Sequence, residues 1–343
     1  MKKVLLLVVL VMVGCESTSV SSNNQSENTS WVFVANEGDY NGTNGYLSMI
    51  DSFGNITETD ILGDVVQALV VYNDQLIVSV NNSQKLMVFD ITETGISNPQ
   101  EILTDGLSPR EMMVINDKLY FGAWDPDYTV YQTSNGNLKV LNLENLEIES
   151  TIETGIMPEG LLFESNYLWV ANSGESTISK IDVVTNTVAE TIEVGAGPQN
   201  LVSSNGDIYI SRRFYDDTWT EFHGSSKISG GEVTSLTYGS GVICGGSVLS
   251  FNDQVYRSVS GGIAPIQEDL NFDESARIGD YNQGNVYHVE IINDNIWFGM
   301  IVLDDNGWPA SEPGSVKVVG ADGVEMISYD VGINPGDFAV WNK

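Results

Sequence analysis

Polar side chains occupy one position of a phrase that recurs along the chain. The phrase starts at glycine, reaches proline three residues later in its clearest copies, Gly155–Pro158 and Gly195–Pro198, and leads into an apolar run. The residues after the proline position are Gln67, Arg110, Glu159, Gln199, Ile243, Gln283 and Gly336. The amide and charged groups among them can donate to and accept from a polar, amide-bearing ligand. Ordered water would satisfy the same groups, so ligand binding and hydration are both open.

Aromatic residues in long hydrophilic loops form a second candidate site. The loops span 124–136, 212–225 and 303–314, and a fourth spans 36–45. They carry Tyr40, Trp124, Tyr128, Tyr131, Phe214, Tyr215, Trp219, Phe222 and Trp308. Exposed aromatic side chains usually indicate recognition, and Tyr and Trp suit planar macrocycles, sugars or a partner protein. Alternatively, the long loops fold over and pack their own aromatic residues.

Catalytic chemistry finds little support. His223 lies in an aromatic loop, where a neutral imidazole could ligate a metal centre, and His288 lies in a strand-like run. Nucleophile elbows, His/Cys metal spacings and phosphate-binding glycine loops are missing. Acidic pairs such as Asp125/Asp127, Asp216/Asp217 and Asp304/Asp305 lack the full spacing of a calcium loop and are expected at solvated loop tips. We therefore predict no catalytic residue, no metal ligand and no cofactor.

The elements that position these residues are short strands in a repeat. The unit from Gly155 to Gly195 contains four strand-like runs, GLLFE, YLWVA, TISKID and TVAETIEV, separated by turn residues. Copies start at Gly63, Gly106, Gly155, Gly195, Gly239, Gly279 and Gly332. Their spacings of 43, 49, 40, 44, 40 and 53 residues suit one four-stranded propeller blade each. Two-residue turns rich in Asn, Asp and Gly recur after the first run, as antiparallel hairpins require.

The two ends of the chain complement each other. The copy at Gly332 has room for one strand, whereas residues 31–62 supply three strands without a first one. We therefore predict an all-β, seven-bladed propeller over residues 31–343, with four-stranded antiparallel blades and a ring closed by the C-terminal strand. Closure removes the exposed edges of a terminal blade. An open β-solenoid and two stacked β-sandwiches are the alternatives.

The first residues have the pattern of an export signal. Lys2 and Lys3 precede a short apolar run that ends at Gly14-Cys15, which resembles a bacterial lipoprotein signal over residues 1–14 with Cys15 as the lipidated residue. An ordinary secretory peptide is the alternative. Residues 15–30 are polar and read as a flexible tether. The membrane contact that we expect is this lipid anchor alone.

Charge excludes some partners. Without residues 1–14 the chain has 12 basic and 47 acidic residues. Such a balance argues against nucleic acid or an anionic membrane surface as a partner, and it also suits a merely soluble exported protein. With Cys244 as the one cysteine besides Cys15, the lipidated form has no pair for an intrachain disulfide.

The phrase VANSGESTISKIDVVTNTVAETIEVGAGPQNLV resembles the YVTN-type, or YncE-like, seven-bladed propellers. The opening WVFVANEGDYNGTNGYLSMID is similar to a lipoprotein subset from Bacteroidetes-type bacteria. That subset includes surface lipoproteins that capture vitamin B12 and pass it to a TonB-dependent transporter, and other members have no known ligand. The resemblance implies a lipoprotein of the outer membrane, anchored on its periplasmic side or exposed on the cell surface. The matching motifs are blade scaffolding, which specifies a fold rather than a ligand.

Three functions follow from these patterns. The leading hypothesis is a lipid-anchored propeller that captures a small polar molecule, with a corrinoid as the candidate, for a TonB-dependent transporter. The alternative is a protein-interaction or adhesion scaffold at the cell envelope. The third is a Ca-dependent lactonase or polysaccharide-cleaving enzyme, which needs several carboxylates in the channel. It comes last because Glu159 is the one acid in the predicted ring.

Overall fold

Each apolar run of the repeat forms a β-strand, and each strand pairs antiparallel with the next one. The computed structural model describes residues 30–40, 42–240 and 246–343. Their strands form seven separate sheets, which are the seven blades of a propeller. The predicted all-β fold class is therefore confirmed. The signal peptide, Cys15 and most of the tether lie outside the described residues, and the first strand begins at Ser30, the last residue assigned to the tether.

The strands of each blade are given from the innermost, A, to the outermost, D. Blade 1 is β27 (Pro335–Asn342), β1 (Ser30–Asn36), β2 (Tyr46–Asp51) and β3 (Ile56–Glu58). Blade 2 is β4 (Val66–Tyr72), β5 (Gln75–Val80), β6 (Lys85–Thr92) and β7 (Gly95–Leu103). Blade 3 is β8 (Ser108–Ile115), β9 (Lys118–Trp124), β10 (Asn137–Asn142) and β11 (Glu147–Glu153). Blade 4 is β12 (Pro158–Glu164), β13 (Tyr167–Asn172), β14 (Thr177–Asp182) and β15 (Thr187–Glu193).

The remaining blades follow the same order. Blade 5 is β16 (Pro198–Ser204), β17 (Asp207–Tyr215), β18 (Glu221–Ser229) and β19 (Glu232–Ser240). Blade 6 has three regular strands in the described chain, β20 (Val248–Phe251), β21 (Gln254–Val259) and β22 (Gly262–Pro265), and Ile278 pairs with Ile263 through an isolated bridge at the outer edge. Blade 7 is β23 (Val286–Ile292), β24 (Asn295–Met300), β25 (Ser315–Val319) and β26 (Glu325–Asp330).

Helical structure in the described residues is short. It comprises α1 (Tyr128–Tyr131) and two 3₁₀ turns, Glu274–Ala276 and Gln283–Asn285. None of these helices is long and apolar enough to cross a membrane.

The A–B turns have the backbone geometry that their residue types predict. Five of them hold both turn residues at positive φ: Asn116-Asp117, Ser165-Asn166, Asn205-Gly206, Asn252-Asp253 and Asn293-Asp294. Asn, Asp and Gly tolerate this left-handed region better than β-branched residues do. The turns therefore set the register of each inner hairpin.

The hydrophobic core lies between neighbouring blades. Because successive side chains of a strand point to opposite sides, Phe33 and Ala35 of β1 pack with Val78 of blade 2, whereas Val34 packs with Trp297 of blade 7. All three β1 side chains are fully buried. Both faces of a blade are thus covered, which explains why the inner strands read as continuous apolar runs.

The ring closes through β27 and β1. These strands pair antiparallel from Ser30 with Asn342 through Asn36 with Pro335. Two opposed tryptophans then bind the closing pair to blade 2: the indole nitrogen of Trp31 donates to the Thr92 carbonyl and that of Trp341 donates to Asp74, both at 3.0 Å. The predicted joining of the two termini is confirmed.

Truncating the closing tryptophan should weaken the whole ring. We expect Trp341→Ala to lower the free energy of unfolding by about 3 kcal/mol or more, because it leaves a cavity at a buried site and removes the bond to Asp74. Urea denaturation followed by far-UV circular dichroism measures this. The matched control is Trp308→Ala in an exposed loop, which should change stability by less than about 0.5 kcal/mol. Equal losses in both variants would contradict the role of Trp341.

Candidate binding site

Strand order alone places two kinds of loop on one face of the propeller. Because the A and B strands run in opposite directions, the start of each A strand and the B–C loop of each blade lie at the same end. We call this end the mouth face. It carries the recurring polar positions and the four aromatic loops together.

A β-bulge at the start of the innermost strand aims polar residues at the channel. The register of the A–B pair shifts between Pro109 and Met112, and the same shift follows Pro158 and Pro198. A bulge leaves extra residues out of the ladder and re-aims their side chains. The resulting channel cavity has a volume of about 310 Å³. It is lined by Glu111, Glu159, Gly160, Gln199, Asn200, Gly246, Ser247, Leu249, Tyr287, His288, Val289, Glu290 and Asp337.

Three of the predicted ring residues meet around one guanidinium. Arg110 donates from Nε and Nη2 to the two carboxylate oxygens of Glu159, at 3.0 and 2.7 Å, and from Nη1 to the amide oxygen of Gln67, at 2.9 Å. A bidentate arginine–carboxylate pair is strong and directional. Because blades 2, 3 and 4 each contribute one of these residues, the trio links three blades at the mouth face.

Two of the predicted aromatic residues pack onto this trio. The guanidinium of Arg110 lies 4.1 Å from the ring centre of Trp124, whose ring centre is 5.2 Å from that of Tyr131. The indole nitrogen of Trp124 also donates to the Pro158 carbonyl at 2.8 Å. The alternative in which long loops pack their own aromatic residues describes Trp124 and Tyr131, whereas Tyr128 of the same loop is exposed. Trp124 and Tyr131 therefore support Arg110, which already makes three hydrogen bonds to Glu159 and Gln67.

The ring differs from the prediction in blades 7 and 1. Gln283 lies in the exposed 3₁₀ turn before β23, and Tyr287 stands at the bulge instead, because blade 7 has additional residues between its glycine and its first strand. In blade 1, Gly336 leaves space for Glu37, since a Cβ there would lie 2.3 Å from the Glu37 carboxylate. Tyr287 donates its hydroxyl to Glu37 at 2.7 Å. Gln199 lines the channel cavity as expected, whereas Ile243 lies outside the described residues.

The channel contains more acids than the sequence pattern indicated. Besides Glu159, it holds Glu111, Glu290 and Asp337 as cavity residues, and Glu37 beside Tyr287. The repeated phrase predicted one channel residue per blade, but the residue after it, such as Glu111 or Asp337, lines the channel as well. Alternation along the innermost strands is the signal that would have found them.

Burial raises the pKa of three of these acids, Glu37, Glu111 and Asp337. Burial raises the pKa of Glu37 to about 7, although the Tyr287 hydroxyl and the positive charge of Arg110 act in the opposite direction. Burial, together with the negative charge of Glu159, raises the pKa of Glu111 to about 7 as well. The pKa of Asp337 is raised well above its usual range by burial and by Glu111 and Glu290. Carboxyl groups thus crowd a space in which Arg110 is already paired.

One part of the channel brings a histidine between two acids. The Nε2 atom of His288 lies 3.8 Å from Glu290 and 3.7 Å from Asp337. The strand-like run predicted around His288 is β23, and the side chain of His288 lines the channel cavity. The innermost strand of a propeller has a channel on one side, so alternate residues can be polar.

The remaining predicted aromatic residues divide between exposed and packed ones. Tyr40, Tyr128, Trp219 and Trp308 are 77, 64, 81 and 71% exposed. Tyr215 is half exposed and donates to Glu221, and Phe214 stacks against Phe222 at 5.6 Å. The four exposed residues come from four different B–C loops, in blades 1, 3, 5 and 7, and therefore share the mouth face.

His223 is not a loop residue. It lies in β18, pairs across to Arg213 of the lengthened β17, and is 2% exposed. Burial lowers its pKa, which keeps the imidazole neutral. The placement of His223 on a loop is corrected, because an extended hairpin of β17 and β18 occupies most of the region expected to be a loop.

The acidic loop tips stabilise their own turns. Asp127 caps α1 by accepting from the Thr129 amide at 2.9 Å, and Asp304 accepts from the amides of Asn306 and Trp308 at 2.8 and 2.9 Å. Asp216 has the same role between Thr218 and Thr220. Side-chain and backbone hydrogen bonds lower the pKa of all three carboxyl groups. These aspartates therefore define loop shape, as Asx turns do.

Comparison with known proteins places the fold in a family. A family model described as a domain of unknown function, DUF5074, matches residues 31–214, which is more than half of the chain. The chain belongs to the DUF5074 family. No curated protein matches its sequence.

Solved structures share the DUF5074 chain's fold at low identity. A hypothetical selenium-binding protein from Sulfolobus tokodaii has a TM-score of 0.65 at 10% identity and covers 93% of this chain and 94% of its own. A putative 6-phosphogluconolactonase from Bacteroides fragilis has a TM-score of 0.64 at 12% identity, and the match covers 92% of this chain and 99% of that protein. A protein from Lactobacillus plantarum has a TM-score of 0.64 at 11% identity, and the match covers 91% of this chain and 99% of that protein. Similarity at this level shows a common propeller and carries no activity.

The ion pair of Arg110 and Glu159 should contribute more to the stability of the fold than an exposed ion pair does. We expect Glu159→Gln to lower the free energy of unfolding by about 2 kcal/mol, because Arg110 would lose its charged acceptor in a largely buried position. The matched control is Glu101→Gln, which removes a half-exposed partner of Lys85 and should cost less than about 1 kcal/mol. Urea denaturation measures both, and a smaller loss for Glu159→Gln than for Glu101→Gln would contradict this reasoning.

The raised pKa of Glu37 predicts a pH dependence of stability. With a pKa of about 7 in the folded state against an ordinary 4.5, the folded protein keeps a proton that the unfolded chain has released. The contribution of Glu37 to stability therefore falls as the pH rises from about 4.5 to about 7. Melting temperatures measured between about pH 5 and pH 8 should fall less steeply in Glu37→Gln than in the wild type. The exposed Glu144→Gln is the control, and an unchanged slope in Glu37→Gln would refute the assignment.

Proposed function

We propose that this protein is an exported, lipid-anchored binding protein. It captures a small polar molecule at its mouth face and passes it to a TonB-dependent outer-membrane transporter. The export signal, the family resemblance and the chemistry of the mouth face support this function. The anchor at Cys15 holds the propeller near the membrane, and the tether lets the mouth face reach a partner.

The distribution of exposed aromatic residues carries the proposal. Among the described residues, five aromatic side chains are more than 60% exposed: Tyr40, Phe53, Tyr128, Trp219 and Trp308. Four of them lie in B–C loops of the mouth face, and Phe53 lies in a C–D turn at the opposite end. Exposed aromatic side chains gathered on one face provide large contact area at low entropic cost. A scaffold loop has no need of them.

A corrinoid is the candidate ligand. The channel cavity has a volume of about 310 Å³, which is at the lower end of small-molecule pockets. A corrinoid macrocycle is too large to enter it, so the ligand would lie across the mouth face and insert only a side group. Its flat face would contact the exposed Tyr and Trp side chains. Its peripheral amides would bond with polar groups at the cavity rim, such as Gln199 and Asn200.

Calorimetric titration with cyanocobalamin tests the proposal. We expect saturable heat at micromolar protein, and about tenfold weaker binding in Trp219→Ala and in Trp308→Ala, because exposed aromatic anchors account for most of such binding energy. Phe53→Ala is the matched control, since it removes an equally exposed ring from the opposite face. The absence of heat would end the corrinoid version, and equal weakening by Phe53→Ala would end the assignment to the mouth face.

A protein-interaction or adhesion scaffold is the second candidate. The same exposed aromatic residues favour it, because such side chains are also enriched at protein interfaces. Affinity purification from the native cell envelope distinguishes the two functions. A stable protein partner retained without a small ligand, and lost in Trp219→Ala, favours the scaffold, whereas a co-purified small molecule favours capture.

A further inference from the structure

The channel brings three potential metal ligands together from two blades. His288 and Glu290 are alternate residues of β23, so both side chains point to the same side of that strand. Asp337 comes from β27, the innermost strand of the adjacent blade 1. One ligand atom from each residue lies within 4.8 Å of the others, and the two measured distances from His288 Nε2 are 3.8 and 3.7 Å.

These separations are close to those of ligands around one ion. Imidazole nitrogen and carboxylate oxygen bind Zn²⁺ at about 2.0–2.2 Å, which places two ligand atoms about 3–3.5 Å apart. The three atoms would need to approach the ion by less than about 1 Å. Side-chain rotation alone supplies such a movement for Glu290, whose carboxylate ends a flexible chain.

Two of the three ligand atoms have unmet bonding capacity. His288 Nε2 and Glu290 Oε2 are buried and make no hydrogen bond. A buried polar atom without a partner is unfavourable, so a cation that accepts a lone pair from each of these two atoms would stabilise the site. Carboxyl groups also outnumber free cations there, because Glu111 lines the same cavity and Arg110 is bonded to Glu159.

Neighbouring groups hold Asp337 and His288 in place. The backbone amide of Leu69 donates to Asp337 Oδ2 at 2.6 Å, which leaves Oδ1, the oxygen nearest to His288, for an ion. The imidazole of His288 packs edge-on against Phe338 at 5.4 Å. Outer contacts of this kind orient ligands in metal sites.

We propose that His288, Glu290 and Asp337 form a binding site for a divalent transition-metal ion, with Zn²⁺ as the best fit. An imidazole with two carboxylates suits Zn²⁺, whereas Ca²⁺ takes six to eight oxygen ligands. Three protein ligands leave one coordination position open toward the channel cavity. The site goes beyond ligand capture at the mouth face and does not depend on it.

Metal titration of the chelator-treated protein tests this inference. Calorimetry with ZnCl₂ should show one tight site per chain, and Co²⁺ in its place should give visible absorption bands that report the coordination. We expect His288→Gln and Glu290→Gln each to weaken Zn²⁺ binding by at least about 100-fold, since even outer-shell changes cost 10–100-fold. Asp337→Asn is less suitable alone, because its bond to Leu69 also supports the fold.

The other histidine provides the control. Glu221 lies 3.6 Å from His223 in a comparable His/Glu pair, and Glu221→Gln should leave the tight site unchanged. Melting curves verify that each variant is folded. Absence of a tight Zn²⁺ site in the wild type, or wild-type affinity in both His288→Gln and Glu290→Gln, would overturn the inference, and the result of the cyanocobalamin titration bears on neither outcome.

Discussion

The antiparallel pairing of β27 with β1 is the constraint on which the rest of the molecule depends. A blade buries both of its faces against neighbours, so an open array would leave two apolar blade faces in water. The pairing joins residues about 300 positions apart and costs loop-closure entropy, but that cost grows only logarithmically with separation. Packing of Trp31 and Trp341 against blade 2 offsets it.

Closure also creates the channel and its unusual polarity. Seven innermost strands converge around an axis, and the bulges in six of their A–B pairs direct polar residues inward, where space for side chains is limited. Glu111 and Asp337 come from strands more than 200 residues apart. Burial raises the pKa of both carboxyl groups, and the negative charge of Glu111 raises that of Asp337 further. The trio of Gln67, Arg110 and Glu159 carries no net charge of its own, because Arg110 and Glu159 pair with each other.

The aromatic loops show how a repeat separates scaffold from recognition. Strands and A–B turns keep one geometry, because the register of each hairpin decides which side chains reach the core. B–C loops are free of that restriction. Four of them present Tyr40, Tyr128, Trp219 and Trp308 to solvent, while Trp124 and Tyr131 in the same kind of loop pack onto Arg110.

Local residue patterns by themselves determined the blade count, the closing strand, the hairpin turns and most of the ring. Those features depend on alternation, turn chemistry and repeat spacing, which are readable along one chain. Only the tertiary structure decided that Tyr287 replaces Gln283, that His223 is buried, and that His288, Glu290 and Asp337 converge. The physical reason is that bulges and inserted residues change the register of a strand by amounts that the repeat spacing does not show. Strands that converge at the channel axis also bring together residues that are distant in sequence.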